Sequence, residues 1–189
     1  MITLEKMKSL PKNNYVQWLV IHNTGGTNLN PLADTSNHTF KMVQAYHISK
    51  GWENIGYHWF IEKDGNMIAG RPEHRNGAHV KEQNINTKSL GICMAGNFDA
   101  FMPTQAQIDA LTGLLKAKMA SYSVPIEKVV PHRHFLGKPP YKQCFGKNLS
   151  DNWLKSLLTF ETPTCQPEKE KIKLLEGLIT SLKKLLGMV

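Results

Sequence analysis

The first 160 residues alternate between short apolar runs and longer amphipathic stretches. Runs of four to seven apolar or β-branched residues predict buried strands, here at 16–21, 57–61, 66–69, 89–95 and 128–131. Apolar residues that recur every three or four positions predict helices at 35–49, after Pro103 and after Ser150. Because strands and helices alternate along the chain, we expect an α/β fold with a central mixed β-sheet flanked by helices.

The pattern changes near residue 160. Two prolines in 162–167 indicate a linker, and the segment after it repeats apolar residues at spacings of three and four: Ile172, Leu175, Ile179, Leu182, Leu186 and Val189. We therefore predict an α/β domain over residues 1–162 and a linker with an amphipathic C-terminal helix over residues 163–189. The apolar face of this helix predicts either self-association or contact with the cell envelope.

Length and composition are those of a globular protein. The chain has 189 residues, 41% hydrophobic and 20% charged, which excludes a disordered chain and a collagen-like chain. The apolar runs are all shorter than the ~18 residues that a transmembrane helix needs. Three cysteines without a CxxC pair argue against a disulfide framework. Residues 1–8 lack the apolar core of a secretory signal, so we expect a protein that stays in the cytosol or is released by another route.

The net charge of +8 suggests a polyanionic partner. Most of this charge lies in residues 1–160, because the chain from Glu161 onward holds five lysines and four acids. The partner could be a nucleic acid, a membrane surface or an anionic cell wall. Alternatively, the charge serves only to keep the protein soluble. The sequence lacks interleaved aromatic and basic residues and an arginine-rich helix, so we expect no specific nucleic-acid partner.

Three residues could form a metal site. His22 and His132 each follow a predicted buried strand, and Cys144 lies in the loop after His132. Two imidazoles and a thiolate suit tetrahedral zinc and leave a fourth position for water, which is the arrangement of a hydrolase. The alternative from these residues alone is two structural histidines and an inert thiol.

Several short segments point to one family. They are Val20-Ile21-His22-Asn23-Thr24, the run GWENIGYHWFI at 51–61, GAH at 77–79, SLGI at 89–92, GNF at 96–98 and PHR at 131–133. In their order along the chain they resemble the N-acetylmuramoyl-L-alanine amidases of type 2. That family includes short phage endolysins and the peptidoglycan recognition proteins.

The resemblance implies a zinc site and its ligands. It makes His22, His132 and Cys144 the ligands of one Zn²⁺ per chain. His134 is the alternative to His132, which we favour because it is the first residue of the His-Arg pair and directly follows the strand.

The resemblance also implies catalytic and substrate-binding residues. Tyr57 and Lys142 would be catalytic, since a phenol and a cation can both stabilise an oxyanion. Asn23 and His79 would bind substrate. Alternation along a strand at 57–61 would place Tyr57 on the same face as Trp59.

The expected function is that of a peptidoglycan hydrolase of the endolysin type. It would cleave the amide between N-acetylmuramic acid and the L-alanine of the stem peptide, with bacterial peptidoglycan as its partner. Two alternatives remain: a non-catalytic peptidoglycan-binding module, and an amidase that also binds and regulates a phage RNA polymerase.

Overall fold

The computed structural model describes residues 16–137, 143–159 and Glu176. The chain divides into two units, Met1–Leu158 and Thr159–Val189, and the fold described here belongs to the first. The predicted boundary after residue 162 lies outside the described residues. So does the predicted amphipathic helix, apart from Glu176, and with it the predicted self-association or envelope contact.

The centre of the domain is a five-stranded mixed sheet, as predicted. Its strands are β1 (Trp18–Asn23), β2 (Trp59–Ile61), β3 (Met67–Ala69), β4 (Ser89–Met94) and β5 (Val129–Pro131). They lie in the order β3-β2-β4-β1-β5, and all neighbouring pairs are parallel except β2 with β3. All six residues of β4 are buried, as expected for a central strand covered on both faces.

Within the described residues 16–137 and 143–159, three α-helices accompany the sheet: α1 (Phe40–Ser49), α2 (Gln105–Tyr122) and α3 (Asp151–Thr159). Thr104 forms a capping box with Gln107 at the start of α2. Helix α1 begins at Phe40, so the predicted start at residue 35 is wrong. The Thr35 hydroxyl instead donates to the main-chain oxygen of Gly25, which keeps this residue in the preceding loop. In the part of the chain described, the helices are too short or too polar to cross a bilayer.

The two faces of β1 have different neighbours. Leu19 and Ile21 pack in the larger core, together with apolar residues of α2 and α3. Val20 packs in a separate cluster with Val130 and Phe135. Because side chains alternate along a strand, His22 lies on the side of Val20, away from the larger core.

The predicted face of Tyr57 is wrong. Trp59 packs against the larger core, whereas Tyr57 packs beside Phe60 and Cys93. Strand β2 begins only at Trp59, so regular alternation does not reach back to Tyr57. As a result, the Tyr57 ring lies 5.1 Å from that of His22.

The long loop between β3 and β4 is attached to α2 through one carboxylate. Glu73 accepts hydrogen bonds from Trp59 Nε1 at 2.5 Å and from the Tyr122 hydroxyl at 2.6 Å, and Lys118 Nζ lies 2.6 Å away. Burial alone would raise the pKa of Glu73, but these donors hold it below its usual value. This anchor fixes a loop that carries two further residues close to the candidate site, His79 and Glu82.

Candidate metal centre

The three predicted zinc ligands come together at one edge of the sheet. His22 lies at the end of β1, His132 begins a 3₁₀ segment directly after β5, and Cys144 lies in the loop that leads to α3. Strands β1 and β5 are parallel neighbours, so their carboxyl ends meet at the same edge. One potential ligand atom from each residue lies within 4.8 Å of the other two.

The choice between His132 and His134 has a structural basis. The His132 ring lies 4.6 Å from that of His22. His134 is exposed and contacts Trp18, with ring centroids 5.6 Å apart. The structure therefore brings His132, and not His134, into the group with Cys144.

Arg133 connects the histidine segment to the cysteine loop. Its main-chain N–H donates to the oxygen of Cys144 at 2.7 Å. Its guanidinium donates to the main-chain oxygens of Gly146 and Leu149 and to the carboxylate of Asp151. The sequence motif contains this arginine, but only the fold shows that it holds the loop of Cys144.

The donor set fits zinc. One thiolate and two imidazoles are ligands that zinc accepts in tetrahedral sites. For Zn–N near 2.05 Å and Zn–S near 2.3 Å, a tetrahedral site needs about 3.6 Å between nitrogen and sulfur. The distance from His22 Nδ1 to Cys144 Sγ is 3.7 Å. This pair thus has the spacing that a shared zinc ion requires.

The electrostatics of the site favour a neutral His22 and a neutral His79. Burial, followed by the neighbouring His132 and His79 rings, holds the pKa of His22 well below its ordinary value. Burial also lowers the pKa of His79, with smaller contributions from His58 and His132. A metal binds the unprotonated nitrogen, so a histidine that is neutral near pH 7 loses no proton on binding.

Both candidate ligand histidines have polar groups behind them, and these contacts were not predicted from the sequence. His22 Nε2 lies 3.0 Å from His79 Nδ1, and His79 Nε2 lies 3.3 Å from Ser89 Oγ. His132 Nε2 lies 3.6 Å from Glu82 Oε2. Ser89 and His79 belong to the SLGI and GAH motifs, which the sequence shows ten residues apart without showing that they touch.

The Tyr57 side chain lies beside the metal-ligand group. Burial of the hydroxyl raises the pKa of Tyr57 well above its ordinary value, and the nearby Cys93 and Cys144 add to this. The phenol therefore keeps its proton over the physiological range and can donate a hydrogen bond. His47 packs 5.7 Å from the Tyr57 ring and stacks on Trp52 at 4.5 Å.

A pocket of about 540 Å³ opens in front of these residues. Its wall includes the three candidate ligands and Tyr57. The wall also includes Asn23, Thr24, His79, Asp99 and Gln143. Asn23 and His79, the predicted substrate-binding residues, thus face the same space as the ligand group. The predicted catalytic Lys142 lies outside the described residues.

The chain is similar to known amidases and peptidoglycan-recognition proteins. Residues 12–147 match the family model of N-acetylmuramoyl-L-alanine amidase. The chain is 42% identical over 103 residues to peptidoglycan-recognition protein SC2 of Drosophila melanogaster, covering 54% of each protein. It is 35% identical over 124 residues to the endolysin of Escherichia phage T7, covering 62% of this chain and 76% of the endolysin. The chain thus spans about half of the insect relative and three quarters of the phage relative.

Solved structures show the same architecture. The N-acetylmuramoyl-L-alanine amidase LysC from Clostridium intestinale URNW is similar with a TM-score of 0.64 and 28% identity, over 80% of this chain and 91% of that one. This likeness agrees with the mixed sheet and flanking helices described above.

Proposed function

Because the chain belongs to the N-acetylmuramoyl-L-alanine amidase family, we propose that it hydrolyses the amide between N-acetylmuramic acid and the L-alanine of the peptidoglycan stem peptide. The observation that carries the proposal is the grouping of His22, His132 and Cys144 within 4.8 Å on the wall of a polar pocket. The identity of 35% with a phage endolysin supports it independently.

The proposed cofactor is one zinc ion per chain, held by His22, His132 and Cys144. Bound zinc supplies a Lewis acid that polarises a carbonyl and lowers the pKa of a water molecule. Burial holds the pKa of His22 well below its ordinary value, so this imidazole offers its lone pair without competition from protons near pH 7. Arg133 keeps the loop of Cys144 against the segment of His132 through its main-chain bond to Cys144 and through its guanidinium, which donates to the main-chain oxygens of Gly146 and Leu149.

Tyr57 is proposed to act on the oxygen of the scissile carbonyl. Its protonated phenol lies next to His22 and can donate a hydrogen bond to the negative charge that develops on that oxygen. Lys142 would place a positive charge near the same oxygen, as the family resemblance implies. Asn23 and His79 would contact the substrate from the pocket wall.

The proposed partner is bacterial peptidoglycan. The net charge of +8 on the chain is complementary to that of an anionic wall polymer. The phage endolysin relatives support a role in wall degradation. We propose that the protein stays in the cytoplasm of its host until it is released to the cell wall.

The test is mass spectrometry of purified peptidoglycan after digestion by the zinc-loaded full chain. Wild type should release stem peptides that begin with a free L-alanine amine and leave glycan strands intact. His132→Ala and Cys144→Ala should reduce this release by at least about a hundredfold if they remove a zinc ligand. His134→Ala is the matched control, because it removes an exposed histidine two residues from His132, and it should retain full activity.

Two results would contradict the proposal. Full activity of the Cys144 variant would exclude its role as a ligand. Stoichiometric binding of peptidoglycan fragments without release of stem peptides would indicate a binding module instead of an enzyme.

A further inference from the structure

The contacts behind His22 form a chain of hydrogen bonds that ends on the main chain. His22 Nε2 lies 3.0 Å from His79 Nδ1, and His79 Nε2 lies 3.3 Å from Ser89 Oγ. Ser89 Oγ lies 2.7 Å from the main-chain oxygen of Ile85. All four residues are buried, with relative exposures of 9% or less.

The end of this chain fixes the direction of every bond in it. A carbonyl oxygen only accepts, so the single hydroxyl proton of Ser89 points to Ile85. Ser89 Oγ then accepts from His79 Nε2–H. A neutral imidazole carries one N–H, so His79 Nδ1 has a lone pair and accepts from His22 Nε2–H.

The consequence is a defined tautomer for His22. With its proton on Nε2, His22 presents an unprotonated Nδ1 on the other side of the ring. That Nδ1 is the atom that lies 3.7 Å from Cys144 Sγ. The same ring orientation therefore satisfies both the hydrogen bond to His79 and a metal ion shared with Cys144.

We propose that His79 and Ser89 are positioning residues that hold His22 in the Nε2–H tautomer, so that its Nδ1 is the metal donor. This inference rests on the proposed role of His22 as a zinc ligand. Hydrogen-bond partners of this kind orient ligand histidines and commonly change metal affinity by about 10–100-fold when removed.

The fold keeps the His79 ring in place. A Cβ atom on Gly77 would lie 2.3 Å from the His79 ring, and one on Gly91 would lie 2.5 Å from it, so the ring occupies a slot that two glycines leave open. The main-chain N–H of His79 donates to Asn86 Oδ1 at 2.9 Å. These contacts restrict the ring before any metal binds.

The neighbouring His58 does not compete for this role. Its Nδ1 accepts from the main-chain N–H of Gly91 at 2.9 Å, and its Nε2 lies 3.0 Å from the oxygen of Arg75. Both ring nitrogens of His58 are therefore engaged by the main chain. The bond to His22 belongs to His79.

The direct test is the tautomer of His22 in the full-length, chelator-treated protein labelled with ¹⁵N-histidine. Long-range ¹H–¹⁵N spectra distinguish a protonated from an unprotonated ring nitrogen. We expect His22 and His79 both in the Nε2–H form in the wild type. A His22 ring with its proton on Nδ1 would overturn the proposal, and this measurement needs no variant and no substrate.

Zinc affinity, measured by competition with a chromophoric chelator, gives the second readout. His79→Leu removes the acceptor and should weaken zinc binding by about 10–100-fold. His79→Asn places an amide group near the position of Nδ1 and should recover affinity to within about threefold of wild type. Wild-type affinity in the His79→Leu protein would contradict the proposal.

Ser89→Ala tests the far end of the chain of bonds. It should let His79 and His22 populate both tautomers and weaken zinc binding by about 3–10-fold. The matched control is Ser121→Ala, which removes an exposed hydroxyl that also donates to a main-chain oxygen, that of Ala117 at 2.9 Å. The control should leave the spectra and the affinity unchanged. Spectra of Ser89→Ala identical to those of wild type would count against the inference. The digestion of peptidoglycan tests the proposed function separately, so the two can fail independently.

Discussion

Replacing Arg133 by methionine should destabilise the domain and displace Cys144. The Arg133 guanidinium donates to the main-chain oxygens of Gly146, at 2.8 Å, and Leu149, and to Asp151 Oδ1 at 2.8 Å. The arginine side chain is only 13% exposed, whereas that of Asp151 is 51% exposed. Methionine retains much of the apolar stem and removes every one of these donors.

The magnitude follows from the two buried carbonyls. Each loses a hydrogen bond from a charged donor, and such bonds contribute about 1.5–3 kcal/mol. The pair with half-exposed Asp151 adds about 0–1 kcal/mol, because solvent screens it. We expect the free energy of unfolding to fall by about 3–7 kcal/mol, which for a domain of this size lowers the Tm by about 6–28 °C.

The assay is thermal unfolding of the metal-free protein, followed by circular dichroism, with zinc affinity as a second readout. The matched control is Arg75→Met, whose guanidinium pairs with Glu53 at 3.2 Å while both side chains are mostly exposed. The control should lose less than about 1 kcal/mol. Equal losses in the two variants, or unchanged zinc affinity in Arg133→Met, would refute the idea that Arg133 holds the loop of Cys144.

Two further predictions concern the glycine beside the His79 ring and the protonation of the buried histidines His22 and His79. Gly91→Ala should weaken zinc binding and lower the Tm, because its Cβ would lie 2.5 Å from the His79 ring. Gly113→Ala, where a Cβ meets nothing within 4 Å on α2, should instead stabilise the protein by about 0.5–1 kcal/mol. Burial lowers the pKa of His22 and of His79, so on acidification the unfolded chain takes up protons before the native state does. From pH 7.5 to 5.5 the free energy of unfolding of the metal-free protein should therefore fall, and denaturant titrations should show a smaller fall for His79→Asn, which lacks one of these two rings. A Gly91→Ala protein with wild-type affinity, or stability independent of pH in this range, would contradict these two expectations.

The sequence predicted the architecture well because each strand signal is local. Buried strands such as β4 are apolar on both faces, so they stand out in the sequence. The carboxyl ends of adjacent parallel strands lie at the same edge of the sheet, and this places His22 near His132. The start of α1 was misplaced because the bond from Thr35 to Gly25 joins two loop positions ten residues apart. Spacing alone carries no signal for such a contact.

The surroundings of the site were harder to predict. Tyr57 lies on the other side from Trp59 because β2 begins two residues later than the apolar run suggests. His79 meets His22 across 57 positions of the chain, and Ser89 in turn meets His79, so the two contacts come together only in the folded domain. The motifs named these residues, but the hydrogen-bond directions required the coordinates of all of them together.

The most direct test of the metal site is X-ray absorption at the zinc edge of the full-length protein loaded with one equivalent of zinc. Zinc held by His22, His132 and Cys144 should show one sulfur at about 2.3 Å and light atoms at about 2.0–2.1 Å, including two imidazoles. The sulfur should disappear in Cys144→Asp and persist in the control His134→Ala. A zinc shell without sulfur, or one that Cys144→Asp leaves unchanged, would contradict the claim that His22, His132 and Cys144 hold the metal.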